Sequence, residues 1–102
     1  MRQTACHCPA DATLEVIGGA WKVPILYHLS RGRLRFGELR RLLGTITPRM
    51  LTRQLRELEE DGIVRRKVFL QVPPKVEYTL SARGRTLLPV VRAMCRWSGR
   101  RS

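Results

Sequence analysis

The segment ITPRMLTRQLRELEEDGIV, residues 46–64, constrains the fold more than any other part of the chain. Thr47 followed by Pro48 is typical of a helix start, because a threonine hydroxyl can cap free N–H groups and proline fits the first helical position. Gly62 is typical of the residue that follows a helix end. The segment therefore predicts a helix over about residues 47–61.

The leucines and the arginines of this predicted helix lie on opposite sides. At about 100° per residue, the three leucines Leu51, Leu55 and Leu58 fall within an arc of roughly 60°. On the other side, an arc of about 100° holds three arginines and one threonine: Arg49, Thr52, Arg53 and Arg56. We expect the leucines to be buried and this cationic edge to face outward.

The basic composition indicates what the cationic edge binds. The chain has 20 Lys and Arg against 8 Asp and Glu, a formal net charge of +12, and 17 of the 20 are Arg, whose planar fork suits phosphates and guanine edges. Cations in the first half of a helix and acids in its last turns oppose the helix dipole, so local stability does not explain this order. We predict that the helix enters the major groove of double-stranded DNA through Arg49, Thr52, Arg53 and Arg56, with Thr47, Pro48 and the helix start on a phosphate.

The remaining segments complete a winged helix-turn-helix. Apolar residues at alternating positions predict a β-hairpin over about residues 63–80. Helices are predicted over residues 9–17, 21–30, 36–43 (with Phe36, Leu39, Leu42 and Leu43 at helical spacing) and 81–97 (capped by Ser81 and kinked at Pro89), with a strand stub at 34–36. The predicted fold class is mainly α with a small β-hairpin wing, in a single domain over residues 1–102 that is ordered from about 8 to 99.

The wing carries its own cations. Arg65 and Lys67 alternate as a solvent-facing edge, whereas Arg66 shares its side with apolar neighbours. We predict that Arg66 and Lys75 contact the DNA backbone beside the groove.

Four stretches of the chain resemble the HxlR-type winged helix-turn-helix regulators of bacteria: CPADATLEVIGGAWKVPILYHL, LRFGELRRLL, RMLTRQLRELEEDGIV and VPPKVEYTLSARG. The resemblance covers the chain from Cys8 to about Gly99. It implies a DNA-binding transcription regulator that acts as a homodimer, with the first and last helices forming the dimer interface. It also implies paired half-sites near promoters.

Two departures from the family pattern concern the N-terminal region. Ala20 stands where the family usually has Lys, and Cys6-His7-Cys8 contains an additional cysteine. Some family members respond to quinones, aldehydes or oxidants through a cysteine at the place of Cys8. A thiol at a helix start tends to be a thiolate. The resemblance therefore implies a redox- or electrophile-sensing role for Cys8; the alternative is a small apolar residue at a helix start.

Other classes of function fit the sequence less well. Nothing predicts an enzyme or a cofactor, because no nucleophile–base, paired-carboxylate or phosphate-loop pattern is present. Cys6, His7 and Cys8 lack the four-ligand spacing of a zinc site, Cys95 fits helix packing, and His28 has no assigned role.

Three cysteines, no apolar run of about 20 residues and no export signal predict a cytoplasmic protein without a membrane span. An RNA-binding or ribosome-associated module remains an alternative, although six aromatics offer few stacking platforms; an adaptor for an acidic protein is another.

Overall fold

The computed structural model describes residues 21–100, including the side chains of residues 21–97. Within this part of the chain the elements are α1 (Lys22–Leu29), β1 (Leu34–Arg35), α2 (Phe36–Leu43), α3 (Pro48–Glu60), β2 (Val64–Phe69), β3 (Lys75–Leu80), α4 (Ala82–Arg85) and α5 (Leu88–Arg100). The prediction of a mainly helical chain with a small β-hairpin is confirmed. The helix predicted over residues 9–17 lies outside the described residues.

The three strands form an antiparallel sheet in the order β1-β3-β2. In the hairpin, Val64 pairs with Leu80 and Phe69 pairs with Lys75. The predicted stub is the edge strand β1, whose Leu34 pairs with Tyr78. The β2–β3 hairpin is the wing, and β1 fixes it to the helical part of the molecule.

One apolar core holds the helices against the sheet. Its largest fully buried side chains come from α1, α2, α3, α5 and the start of the wing: Ile25, Leu26, Leu39, Leu51, Leu55, Leu58, Ile63 and Val91. Burial of each such side chain contributes about 1.5–3 kcal/mol relative to exposure. Helix α1 packs on α2, α5 and β3, while α3 packs on β2.

The helix-turn-helix comprises α2, a short turn and α3. Gly44, with φ +76°, ends α2 in a backbone conformation that favours glycine. In the turn, Ile46 is buried in the core. The Thr47 hydroxyl then accepts a hydrogen bond from the Met50 N–H at 3.1 Å, so Thr47 caps α3 as predicted.

The end of α3 is also fixed by backbone hydrogen bonds. Gly62, with φ +75°, follows the helix, and the Ile63 N–H donates to the Leu58 carbonyl at 2.9 Å. The Gly62 N–H donates to the Glu59 carbonyl at 3.0 Å. This pair of bonds is a Schellman ending, and it directs the chain from the helix into the wing.

The prediction of one kinked C-terminal helix is wrong, because the chain forms α4 and then α5. Between them, the Thr86 N–H donates to the Arg83 carbonyl and the Leu87 N–H to the Gly84 carbonyl, three residues back in each case. Pro89 has no N–H and lies in the first turn of α5, where proline is tolerated. A new helix therefore starts at Leu88, one residue before the proline. Ser81 caps α4 as predicted, by accepting from the Gly84 N–H at 2.9 Å.

The apolar stripe predicted for α2 is only partly buried. Leu39 is fully buried, and Phe36 and Leu43 pack against the core from its margin. Leu42 is 52% exposed, because the core contacts a narrower face of α2 than the spacing predicts. Across the described residues, no helix combines the length and apolar character needed to span a bilayer.

Candidate nucleic-acid interface

Helix α3 separates apolar and cationic side chains as the sequence predicts. Leu51, Leu55 and Leu58 are at most 1% exposed and anchor the helix in the core. The predicted contact residues are all exposed, four on the other side of the helix and two at its start: Arg49, Thr52, Arg53 and Arg56, and Thr47 and Pro48. The helix therefore presents an edge of three guanidinium groups to solvent. We call these six residues the α3 edge.

Two arginines of the α3 edge differ from the third in their surroundings. Among the described residues, Arg49 and Arg56 form no ion pair, whereas the Arg53 Nε lies 3.4 Å from the Glu57 Oε2. Glu57 lies one turn further along the helix, so this is an i,i+4 pair. Arg53 nevertheless stays 70% exposed. All three can therefore reach a ligand outside the protein, but only Arg53 is held by a neighbour.

Glu57 also pairs with a side chain from a different helix. The Nζ atom of Lys22, the first residue of α1, lies 2.8 Å from the Glu57 Oε1. The hydrogen bond from Lys22 lowers the pKa of the Glu57 carboxyl, burial opposes this by raising it, and the charges of Lys22 and Arg53 lower it further. Glu57 is therefore a stable carboxylate that links α1 to the α3 edge.

The link between Lys22 and Glu57 is not predicted from the sequence. Lys22 is 7% exposed, in a helix whose other buried residues are apolar. One sequence feature could have revealed it: a lysine next to a tryptophan at the start of an apolar helix needs a partner if it is buried. The sequence alone does not identify which of the eight acids is that partner.

The wing presents most of its cations to solvent. Arg65, Arg66 and Lys67 are exposed on β2. Arg66 lies opposite the buried Tyr78, on the side of the sheet that carries Val64. It is exposed because the outer half of the hairpin extends beyond the core, as the 43% exposure of Val68 also indicates.

Neighbouring side chains hold Lys75, although its position near the hairpin turn predicted a freely exposed cation. Its ammonium lies 4.3 Å from the centre of the Phe69 ring and 3.6 Å from the Glu77 Oε2. The Lys67 ammonium lies 5.0 Å from the same ring. Phe69 thus holds two lysines by cation–π contacts, and the Lys75 side chain is 23% exposed.

The turn of the wing also exposes apolar side chains. Leu70 is 96% exposed and Val72 is 98% exposed. At the other edge of the sheet, the Arg33 Nε lies 3.5 Å from the Glu77 Oε1, so one carboxylate holds Arg33 and Lys75. The wing therefore has a cationic strand and an apolar turn.

Ser81 and Gly84 hold the wing in place relative to α3. The Ser81 hydroxyl donates to the Gly62 carbonyl at 2.6 Å, and the Ser81 N–H donates to the Ile63 carbonyl at 2.9 Å. A Cβ atom at Gly84 would overlap the Ile63 carbonyl oxygen. Helix α4 thus lies directly against the connection from α3 to β2, which fixes the angle between α3 and the wing.

An apolar groove lies between α1 and α5. Its volume is about 540 Å³. Val90, Met94 and Trp97 are 41–62% exposed there. The groove includes the last helix, which the family resemblance assigns to dimerisation.

The other predicted sites lie partly outside the described residues. Cys8, the predicted sensor, and its neighbours Cys6 and His7 are outside them, as is Ala20. Between residues 21 and 97, no group of three or more His, Cys, Asp or Glu side chains could hold a metal ion. Cys95 is a free, half-buried thiol that packs against the core.

Comparison with known proteins identifies relatives over almost the whole chain. Residues 16–101 match the HxlR-like helix-turn-helix family. The HTH-type transcriptional regulator YdeP of Bacillus subtilis (strain 168) is 58% identical over 90 residues, which are 88% of this chain and 70% of YdeP.

Solved structures with the same fold include regulators of redox response. The redox regulator HypR in its reduced form has a TM-score of 0.87 and 56% identity, covering 90% of this chain and 91% of that one. Its oxidised form has the same TM-score. The diamide-treated YodB of B. subtilis has a TM-score of 0.78 and 33% identity, covering 94% of this chain and 96% of YodB. The comparisons confirm the predicted winged helix-turn-helix and the prediction that the protein is not an enzyme, and they give no support to an RNA-binding or adaptor role.

Proposed function

Because the chain belongs to the HxlR-like helix-turn-helix family and is a transcriptional regulator of the helix-turn-helix type, we propose that it is a homodimer that binds specific DNA sequences. Helix α3 acts as the recognition helix and the β2–β3 hairpin acts as the wing. The observation that carries the proposal is the separation on α3, where the leucines are buried and three arginines are exposed.

The α3 edge fits the major groove of duplex DNA. The groove is about 12 Å wide and admits one helix. Arg49, Arg53 and Arg56 can contact guanine edges through two donors each, and Thr52 can contact a thymine methyl group. An arginine that reaches only a phosphate would strengthen binding without selecting a sequence.

The start of α3 fits a phosphate of the DNA backbone. N–H groups at a helix start, together with the dipole, favour an anion. Thr47 and Pro48 are exposed there, and the first turn contains no acidic residue. A phosphate at this position would fix the depth of α3 in the groove.

The wing fits the adjacent backbone. Arg66 is exposed and has no ion pair among the described residues. Lys75 contributes a charge that Glu77 partly neutralises. Both contacts would position the protein on the duplex without reading its sequence.

The groove between α1 and α5 supports dimerisation. A second copy would cover the apolar side chains that a single chain exposes there. A twofold dimer would place two α3 helices about 34 Å apart, one turn of DNA, on paired half-sites. The first helix predicted from the sequence would complete this interface.

Thiol modification at Cys8 is the regulation that the relatives favour. HypR has been solved in reduced and oxidised forms, and YodB after treatment with the thiol oxidant diamide. We propose that an oxidant, quinone or aldehyde modifies Cys8 and thereby changes the geometry of the dimer.

Selection from a random pool of DNA duplexes tests the DNA-binding proposal. The purified protein should retain fragments that contain paired half-sites about 10–11 base pairs apart, and a gel shift should favour these duplexes over scrambled duplexes and single-stranded RNA. Equal binding to all three would contradict it.

The thiol proposal is tested on a selected duplex. Diamide or a quinone should change the DNA binding of the native protein and leave the DNA binding of the Cys8→Ser variant unchanged. The matched control is Cys95→Ser, which should respond as the native protein does.

A further inference from the structure

Lys22 is the one buried charged side chain among the residues that the structure describes. A lysine ammonium that leaves water is unfavourable unless it is paired. Its partner is Glu57, with Nζ and Oε1 2.8 Å apart. Because the Lys22 side chain is buried, this contact fixes the position of the Glu57 carboxylate.

The second oxygen of the same carboxylate holds Arg53. The distance from Arg53 Nε to Glu57 Oε2 is 3.4 Å. The lowered pKa of Glu57 means that the acceptor keeps its charge at neutral pH. A charge enclosed in the protein is thus connected through one carboxylate to an exposed arginine on the α3 edge.

The contact at Nε leaves the two terminal nitrogens of Arg53 available to an external ligand. Arg53 is 70% exposed, and among residues 21–97 Glu57 is its one partner. A long exposed side chain loses rotamer freedom when it binds a ligand. A side chain that is already held loses less freedom, so it binds more tightly and in a more defined geometry.

We propose that Lys22 is a positioning residue for DNA recognition: through Glu57 it holds Arg53 in the orientation that contacts DNA. The inference rests on the proposed function of the α3 edge. A lysine with a purely structural role would instead affect folding alone.

A double-mutant cycle between positions 22 and 53 tests the proposal. Lys22→Met keeps an unbranched apolar chain and removes the ammonium. The fold should persist, because Glu57 is 37% exposed and water can solvate its carboxylate. Binding is measured on the duplex that the native protein selects from a random pool, after thermal unfolding has shown that each variant is folded.

The expected result is a loss that depends on Arg53. Lys22→Met should weaken binding on the order of 3- to 10-fold in the native background, within the range of coupling between contacting residues. In the Arg53→Ala background the same change should have an effect of less than about 2-fold. An equal loss in both backgrounds, or no loss in either, would overturn the proposal.

Arg49→Ala provides the matched background. Arg49 lies on the same edge and has no ion pair among the described residues, so Lys22→Met should keep its full effect there. If Lys22→Met does not fold, Glu57→Gln replaces it in the same cycle. Because this change also removes a negative charge near the DNA, its effect in the Arg53→Ala background is the reference, and relative to that reference it should weaken binding in the native background. A native protein that selects no duplex would overturn the proposed function itself. A native protein that selects one, with an Arg53→Ala variant that binds it unchanged, would overturn only the positioning role.

Discussion

Lys22 and Glu57 join two helices that are far apart in the sequence, through a contact of 2.8 Å between Nζ and Oε1. Helix α1 belongs to the side of the molecule that contains the apolar groove, and α3 carries the edge of exposed arginines. The pair therefore connects a helix of the proposed dimer surface to the helix of the proposed DNA surface. It also has consequences for stability.

Glu57 should make stability depend on pH in the acid range. The pKa of Glu57 is lower in the folded protein than its ordinary value of 4.5. The unfolded chain therefore binds the proton more readily than the folded chain does. The stabilisation from Glu57 is fully present above pH 4.5 and is lost as the pH falls through the lower folded-state pKa. Glu57→Gln should flatten the decrease in unfolding free energy below about pH 4.5. Urea unfolding at several pH values measures this. Glu60→Gln, an exposed acid on the same helix, is the control, and parallel curves for the native protein and Glu57→Gln would contradict the role of the pair.

Gly84 should tolerate no side chain. A Cβ atom there would overlap the Ile63 carbonyl oxygen, which belongs to the connection between α3 and β2. Gly84→Ala should lower the unfolding free energy by about 1–3 kcal/mol, as overpacking does. The matched change Gly37→Ala meets no atom within 4 Å and should leave stability unchanged or slightly higher. Thermal unfolding of both variants measures the difference. Similar unfolding midpoints for Gly84→Ala and Gly37→Ala would contradict the prediction and show that α4 can move away from Ile63 without loss of stability.

Arg49 should contribute to sequence discrimination. Arg49→Ala should weaken binding to a selected duplex by about 1–3 kcal/mol if the side chain contacts a base through two donors. Competition with scrambled duplex measures the specific part of this loss. Arg96→Ala, which removes the same charge from an exposed position on α5, controls for net charge. An equal loss on selected and scrambled DNA would identify Arg49 as a phosphate contact.

The wing cations should affect the salt dependence of binding and leave sequence preference intact. Arg66→Ala should reduce the magnitude of the slope of log K against log salt by about 0.9, the value for one phosphate contact. Lys75→Ala should reduce it by less than about 0.9, because Glu77 and Phe69 already hold this ammonium. Titrations at several salt concentrations give both slopes. Unchanged slopes in both variants would exclude backbone contact by the wing.

Much of the fold and part of the site could be predicted from neighbouring residues. Thr47 and Pro48 predicted the start of α3, and Gly62 its end, because caps and turn glycines act over a few residues. The helical repeat of apolar and charged residues was enough to predict the buried leucines and exposed arginines of α3. The alternation of apolar residues at every second position predicted the hairpin.

The tertiary structure decided which predicted faces were buried and which charges were paired. The exposure of Leu42 and Arg66 depends on how far the core extends under α2 and the wing. The partner of Lys22 and the restraint on Lys75 depend on segments that only folding brings together. The reason is physical: caps and period are short-range properties of one segment, whereas an ion pair between two helices exists only after packing has set their distance and excluded water from it.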